Sequence, residues 1–397
     1  MSAVSTAYAI APPNPTGSAA CAAAPTVREH IVDRVPQDLA GEWQALAEQS
    51  AEPNVFAEPW FVAPSLVHLR KEPVRLVEVR TAGRLTGLIM LGVERRYGRV
   101  PVPHVENWRH HHVFLGTPLI AGGEEEAFWT ALLLHLDAAR WAPNFLHIHG
   151  LVEEGPVLAG LLGAAHALHR DSAVVYREVR AFLCSSLAPQ AYYEETVRKK
   201  KRKELGRLRN RLTEQGALVS RQLAPEEALE PWCDAFLRLE AGGWKGKTGS
   251  ALACTPATDS FFRETVAAAR DAGRLEFRAL ELDGRPIAML VNFLAPPGSF
   301  SFKTAFDEDF ARFSPGVLLQ LDNLAILDRA DIAWMDSCAA EDHPMIDSLW
   351  GERRAVVRVT VPLTGIGRRL AHGAARTLER LSAARRRLQA PPEGQDP

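Results

Sequence analysis

At 397 residues, with 47% hydrophobic and 24% charged residues and a formal net charge of −2, the chain has the make-up of an ordinary globular protein, long enough for two domains and too nearly neutral for a bulk nucleic-acid binder. It contains no apolar run of the roughly 18 residues needed to span a bilayer, and its start, MSAVSTAYAIAPPNPTGSAACAAAP, lacks the basic region of a signal peptide and reads as a disordered leader over residues 1–26. Cys21, Cys184, Cys233, Cys254 and Cys338 are scattered, odd in number and without paired metal-type spacing, which points to a reducing cytoplasm.

In the first half, VRLVEV (74–79), a turn at Thr81–Arg84 and LTGLIMLGV predict an antiparallel hairpin. A third strand is expected at His112–Leu115, a helix over about 124–140 and a strand over 145–152. His110, His111 and His112 are contiguous, so on a strand they would alternate faces and not converge on a metal. His147 and His149 do share a face, but no third ligand is evident, and no metal is expected.

VRKKKRKELGRLRNRL (197–212) follows, with nine Lys/Arg against one Glu on a helical pattern. It reads either as a solvated basic helix or as a patch for an acidic partner: a nucleotide phosphate, a tRNA or an anionic membrane surface. No DNA partner is expected. AGGWKGKT (241–248) looks like a phosphate-binding loop, but Leu229, Trp232, Cys233, Phe236 and Leu237 before it have helical spacing, whereas such a loop must follow a strand. It is therefore expected to end a helix at Gly242-Gly243, with Asp259 or Ser260 capping the next one.

The grammar of the first half then returns. LEFRALEL (275–282), Asp283-Gly284 and PIAMLVNFL predict a second hairpin, with a third strand at Ser299–Phe306, a helix over 315–328 and a strand over 332–339. The repeat implies a duplicated α/β unit with mixed sheets. In ARFSPGVLLQL, Ser314 is a candidate N-cap, Pro315 suits the first helical position, and the N–H groups of Gly316, Val317 and Leu318 with Arg312 and Phe313 make a candidate anion site. The corresponding helix in the first half starts with Glu124, Glu125 and Glu126, which would repel a diphosphate, so a phosphorylated cofactor is expected in the second half alone. The tail, Gly367–Leu388, has seven arginines against one glutamate and reads as a capping helix or a membrane-surface contact.

The stretches NVFAEPWF (54–61), GWKGKTGSALA (243–253), LDGRPIAMLVNF (282–293), FKTAFDEDFARFSPGVLL (302–319) and DSCAAEDHPMIDSLWGERR (336–354) together resemble the tandem, FemAB-like acyltransferases of the GNAT superfamily, in the branch related to the cellulose-biosynthesis protein CelD/BcsL. The resemblance spans about 40–360. It implies a duplicated GNAT (acyl-CoA N-acyltransferase) fold with two mixed-sheet domains in tandem: 27–185 without cofactor, 186–365 catalytic, and 366–397 as an Arg-rich helix with a disordered end. It also implies transfer of an acyl group, usually from acetyl-CoA, to an amine or hydroxyl of a cell-envelope or polysaccharide-related acceptor in the cytoplasm or at the inner membrane surface. The segment matching the family's diphosphate loop, Arg312–Leu318, has one glycine where ordinary members have several, which leaves room for another donor. The related Fem enzymes use aminoacyl-tRNA, which the basic segment Arg198–Arg211 would serve. A non-catalytic scaffold is the third reading.

Direct transfer needs a base, a neutral nucleophile and donors for the oxyanion. A GNAT-like arrangement splays the third strand from the strand after the helix, with Phe306 and Asp307 on one side and Asp336–Cys338 on the other. Asp336 is the first candidate for base or acceptor-orienting carboxylate, then Asp307, with His343 as an alternative base. Backbone N–H groups near Lys303–Ala305 are candidate oxyanion donors, and Trp244, Lys245, Lys303 and Trp350 candidate acceptor contacts.

Overall fold

A computed structural model of the protein describes residues 24–389, with side chains as far as residue 381. The expected leader, but for residues 24–26, and the chain end from 390 lie outside the described residues, as does Cys21. The first half runs β1 (Thr26–Val32), α1 (Ala40–Glu48), α2 (Pro59–Leu69), β2 (Val74–Thr81), β3 (Arg84–Glu94), β4 (His104–Asn107), β5 (Leu119–Ile120), α3 (Glu125–Ala138), β6 (Phe145–Val152), α4 (Pro156–Ala167) and β7 (Ala173–Leu183). After α5 (Pro189–Thr196) and α6 (Lys199–Thr213), the second half runs β8 (Leu218–Gln222), α7 (Glu230–Gly242), α8 (Trp244–Lys247), α9 (Pro256–Asp271), β9 (Leu275–Leu282), β10 (Arg285–Ala295), β11 (Gly298–Phe306), α10 (Pro315–Asp322), β12 (Trp334–Asp336) and β13 (Glu352–Pro362). It ends in α11 (Ile366–Gln389).

The two predicted hairpins turn alike. Ala82-Gly83 and Asp283-Gly284 both have positive φ at both central residues, the twist that suits antiparallel strands. Each half also contains one parallel pair, β4 with β6 and β11 with β12. The fold is thus a duplicated GNAT fold.

The two sheets are continuous, in the order β1-β2-β3-β4-β6-β13-β7-β12-β11-β10-β9-β8, with β5 beside β3. The last strands are exchanged: β13, from the second half, lies against β6, while β7, from the first, lies against β12. β7 and β13 pair with each other from Glu352↔Phe182 to Thr360↔Ala173, so the seam is itself a strand pair.

Apolar cores lie on both faces. Val105, Leu146, Ile148, Val357 and Val359 pack under Phe128, Trp129 and Leu132 of α3, with Leu161 of α4. A second core joins the halves, with Phe56, Trp60 and Phe61 packed against Phe236, Phe261, Phe293, Phe300 and Phe302. Among the described residues no helix is long and apolar enough to cross a membrane.

Three local expectations are corrected. The third strand of the first half is His104–Asn107, while residues 112–115 form a loop whose Phe114 packs edge-on against Phe56 and Phe302 across the interface. α9 is capped by Thr255, whose Oγ1 accepts from Thr258 N at 3.1 Å ahead of Pro256; Asp259 and Ser260 fall inside the first turns. Ser314 makes no side-chain cap: the 3₁₀ turn Glu308–Phe313 runs straight into α10, and Ser314 links the two in a left-handed conformation (φ 53°).

Candidate active site

β11 pairs with β10 from Ala288↔Phe306 to Val291↔Lys303, then slips so that Asn292 faces Ser301. Phe302 is the extra residue of a β-bulge, which bends a strand and re-aims its side chains. Phe302 enters the aromatic core, its ring 4.7 Å from that of Phe293. Lys303 goes with it into the interface, its side chain only 10% exposed.

There it meets Glu240. Lys303 Nζ lies 3.4 Å and Lys245 Nζ 3.2 Å from the same oxygen, Oε1, while Oε2 accepts from Leu252 N at 2.8 Å. Glu240 is buried; burial alone would raise its pKa, but the two ammonium groups and the Leu252 amide bring it below the usual carboxylate range. Lys303 is shifted down by burial, against the pull of Glu240. His112 is pushed down to about 3 by burial, with Lys303 the largest neighbouring charge, and its ring stacks on Phe261 at 5.3 Å. A buried carboxylate shared by two cations carries a surplus positive charge, and strongly perturbed groups gathered between two halves are candidates for chemistry.

AGGWKGKT makes this cluster possible as a turn. α7 ends at Gly242, Gly243 caps α8, and a Cβ on Gly246 would lie 1.8 Å from the Ala241 carbonyl oxygen, so only glycine lets the chain fold back and return Lys245 to Glu240. The Trp244 side chain projects outward, the residue 59% exposed, while its backbone N–H donates to Glu308 Oε1 at 2.7 Å. His343 lies partly buried nearby; burial, and then Lys245 against the opposing pull of Asp347, leave its pKa below the usual imidazole value.

The other sequence candidates sit apart. Asp336 is fully buried: Oδ2 accepts from Arg180 Nη2 at 2.8 Å and Arg354 Nη1 at 3.0 Å, and Oδ1 from Cys338 N at 2.9 Å. Burial opposes its charge, but the two guanidinium groups keep it ionised below the usual aspartate range. Asp307 caps the 3₁₀ turn through Asp309 N at 3.1 Å, pairs with Arg285 and borders a cavity of about 360 Å³ lined also by Arg238 and Pro286. Trp350 is closed into the core at 1% exposure. At α10, Arg312 stacks on the Phe313 ring at 4.7 Å, and the Leu318 N–H is taken by the Ser314 carbonyl, with Pro315 heading the helix. A Cβ on Gly316 would lie 3.0 Å from Met345 Cε and 3.4 Å from Phe306 Cδ1, so this turn is packed beneath the segment that carries His343, with Val317 half-buried beside it.

Glu240 was the residue that sequence reasoning missed. The signal is present: on the apolar stripe Leu229, Cys233, Phe236 the next position is 240, where the helical period calls for an apolar residue and a glutamate stands.

The equivalent cleft in the first half is stitched shut. Past Glu106↔His147, Asn107 spans the diverging strands: Nδ2 donates to the His149 and Gly116 carbonyls, both at 3.0 Å, and Oδ1 accepts from His149 N at 2.9 Å. Asn107→Ala is expected to lower unfolding free energy in urea by on the order of 3 kcal/mol, because three buried backbone groups lose their partner at once.

Residues 199–353 match the family model described as "Acetyltransferase (GNAT) domain", and the second half is a GNAT-fold acyltransferase domain. No curated protein matches the chain. Among solved structures, FemX is similar at 11% identity and a TM-score of 0.58, over 89% of this chain and 100% of that one. A conserved protein of unknown function from Bacteroides thetaiotaomicron is similar at 11% identity and a TM-score of 0.53, over 84% and 99%. Both likenesses cover the two halves together, and at these identities they concern the fold.

Proposed function

We propose that the protein transfers an acyl group from an acyl-CoA thioester such as acetyl-CoA to an amine or hydroxyl acceptor seated over Lys303. The observation that supports this is the bulge in β11, which aims a buried ammonium at a shared carboxylate between the halves, inside the segment that matches an acetyltransferase family. In the proposed reaction the acceptor nitrogen or oxygen bonds to the acyl carbon, the C–S bond breaks, the acceptor proton passes to His343 and the thiolate leaves. Two cations on one carboxylate favour a developing oxyanion over a neutral carbonyl, which is transition-state rather than ground-state stabilisation. His343, neutral at pH 7, suits the role of base.

The fully buried Asp336 is proposed to act away from the acceptor, by holding Arg180 and Arg354 at the seam, and Asp307 to stand at the cavity entrance beside Arg285. In the segment Arg312–Leu318, Arg312 and Ser314 with the N–H groups of Gly316 and Val317 are proposed to face the donor diphosphate, using the positive end of α10, while Phe313, Pro315 and Leu318 pack behind them. Trp244 and Lys245 are proposed acceptor contacts at the mouth, whereas Trp350, closed into the core, is not available as one. The test is thiol release from acetyl-CoA by the full chain against a panel of amines, amino sugars and glycan hydroxyls. Acceptor-dependent release is expected; the absence of both release and acetyl-CoA binding by calorimetry would sink acyl-CoA as donor.

One observation favours a second donor. Lys199, Lys203, Arg207 and Arg211 are exposed at four-residue spacing on α6, and the ion pairs of that helix involve other residues, Lys201 with Glu204 and Arg209 with Asp322. The stripe runs about 18 Å, longer than one CoA phosphate needs and suited to a nucleic-acid backbone. If aminoacyl-tRNA is the donor, its binding should weaken with salt at a log–log slope of about −3 to −4, and reversing these four charges should abolish it while acetyl-CoA binding persists.

A further inference from the structure

β4 and β6 run parallel with Val105 opposite Leu146 and Glu106 opposite His147. Val105, Leu146 and Ile148 face the helices of the first half, so the alternating His104, Glu106, Phe145, His147 and His149 share the opposite face. One ligand atom from each of His104, Glu106 and His147 falls within 4.8 Å of the others. We propose that His104, Glu106 and His147 form a binding site for a zinc ion, with His149 orienting the carboxylate.

His147 carries the argument. It is 6% exposed, yet neither Nδ1 nor Nε2 has a hydrogen-bond partner, although a neutral imidazole has one donor and one acceptor to satisfy. A metal–nitrogen bond would occupy the acceptor. His104 is prepared for the same role: its Nδ1 lies 3.2 Å from the Val102 carbonyl, which fixes the proton there and leaves the Nε2 lone pair facing Glu106 Oε2 at 3.9 Å. His149 Nε2 holds that same oxygen at 3.0 Å, the outer hydrogen bond that orients a ligating carboxylate.

Two imidazoles and one carboxylate are a zinc-type set with a fourth position left over. Zinc bonds of about 2.0–2.1 Å put tetrahedral ligand atoms roughly 3.4 Å apart, so a closure of about 1 Å by side-chain rotation completes the set. The surroundings favour a dry site. The His104 ring stacks on Phe145 at 4.9 Å, Tyr97 lies edge-on to His147 at 5.2 Å, and α11 covers them through His372 and the Tyr97–Glu379 hydrogen bond. Arg109 and Arg358 border the cavity beside His149 on the seam side, and the Glu106 carboxylate offsets their charge. This site belongs to the half without the Lys303 cluster.

The test is zinc titration of the tag-free, chelator-stripped full chain against a chromophoric chelator, with cobalt(II) absorption reporting coordination geometry. One zinc per chain, a tetrahedral cobalt spectrum and a zinc-dependent rise in the thermal midpoint are expected. Both His147→Gln and Glu106→Gln should weaken binding at least 100-fold and remove the rise. Stoichiometric binding that survives in both variants would assign the metal to others of the 13 histidines and overturn the proposal, as would no binding above that of a denatured chain. Should His147→Gln fail to fold, Glu106→Gln with His104→Asn decides by the same readouts.

Discussion

Asp336→Ala is expected to destabilise the protein by about 3–5 kcal/mol, a large share of the roughly 5–15 kcal/mol that holds a domain folded. The carboxylate is fully buried and binds Arg180 of β7 and Arg354 of β13 from its own place on β12, so one ion cluster ties together the three strands at the seam. Alanine would strand the Arg180 guanidinium, itself 5% exposed, with only the Phe114 carbonyl at 2.8 Å as partner. Arg354 would keep its stacking on Phe182 and Trp334, both at 4.2 Å, without its counter-ion. Urea unfolding measures the loss. The pH dependence has a definite sign: a carboxylate whose folded pKa lies below its ordinary 3.8 contributes stability that is full above that value and is lost as pH falls through the lower, folded one. Acid loss from this cluster is therefore confined to below about pH 4. An Asp336→Ala variant that unfolds at the wild-type midpoint yet is inactive would instead make Asp336 the base.

Lys303→Met is expected to behave in the opposite way, lowering kcat/KM for acyl transfer by about 10²–10³ while leaving stability nearly unchanged. Glu240 keeps Lys245 and the Leu252 amide, so the substitution leaves no orphaned charge, and methionine fills the stem of the lysine in the aromatic interface. Lys303→Arg should recover part of the rate. If the ammonium form holds the oxyanion, the wild-type rate falls on the alkaline side at a pH below the 10.5 of an ordinary lysine, because burial has lowered its pKa; that limb should disappear in Lys303→Met. Wild-type turnover in Lys303→Met would remove this cluster from the reaction.

The contrast between these residues bears on what can be read from a chain of letters. Lys303 and Lys245 are candidate acceptor contacts within stretches that carry the family resemblance, but the carboxylate that joins them is 63 residues from one and five from the other, and only the packing of α7 on β11 brings all three together. The histidines repeat the lesson. His147 and His149 were legible as two residues on one strand face, whereas His104 and Glu106, the other two proposed ligands, come from β4, a strand expected eight residues further on. A strand of four residues flanked by loops has too short an alternation to be distinguished by period alone.

What the sequence determined alone is what neighbouring residues enforce on one another: both hairpins through turns that demand positive φ, α7 through its apolar period and glycine end, and the duplicated order of elements. The tertiary structure alone decided the exchange of β7 and β13, the single continuous sheet, the closure of the first cleft by Asn107, and the conversion of Asp336 into a buried ion clamp. Each of these needs at least one partner about 40 to 200 positions away. Local propensity carries no record of such partners, since any exposed strand edge can pair with any other until burial of both faces selects one register.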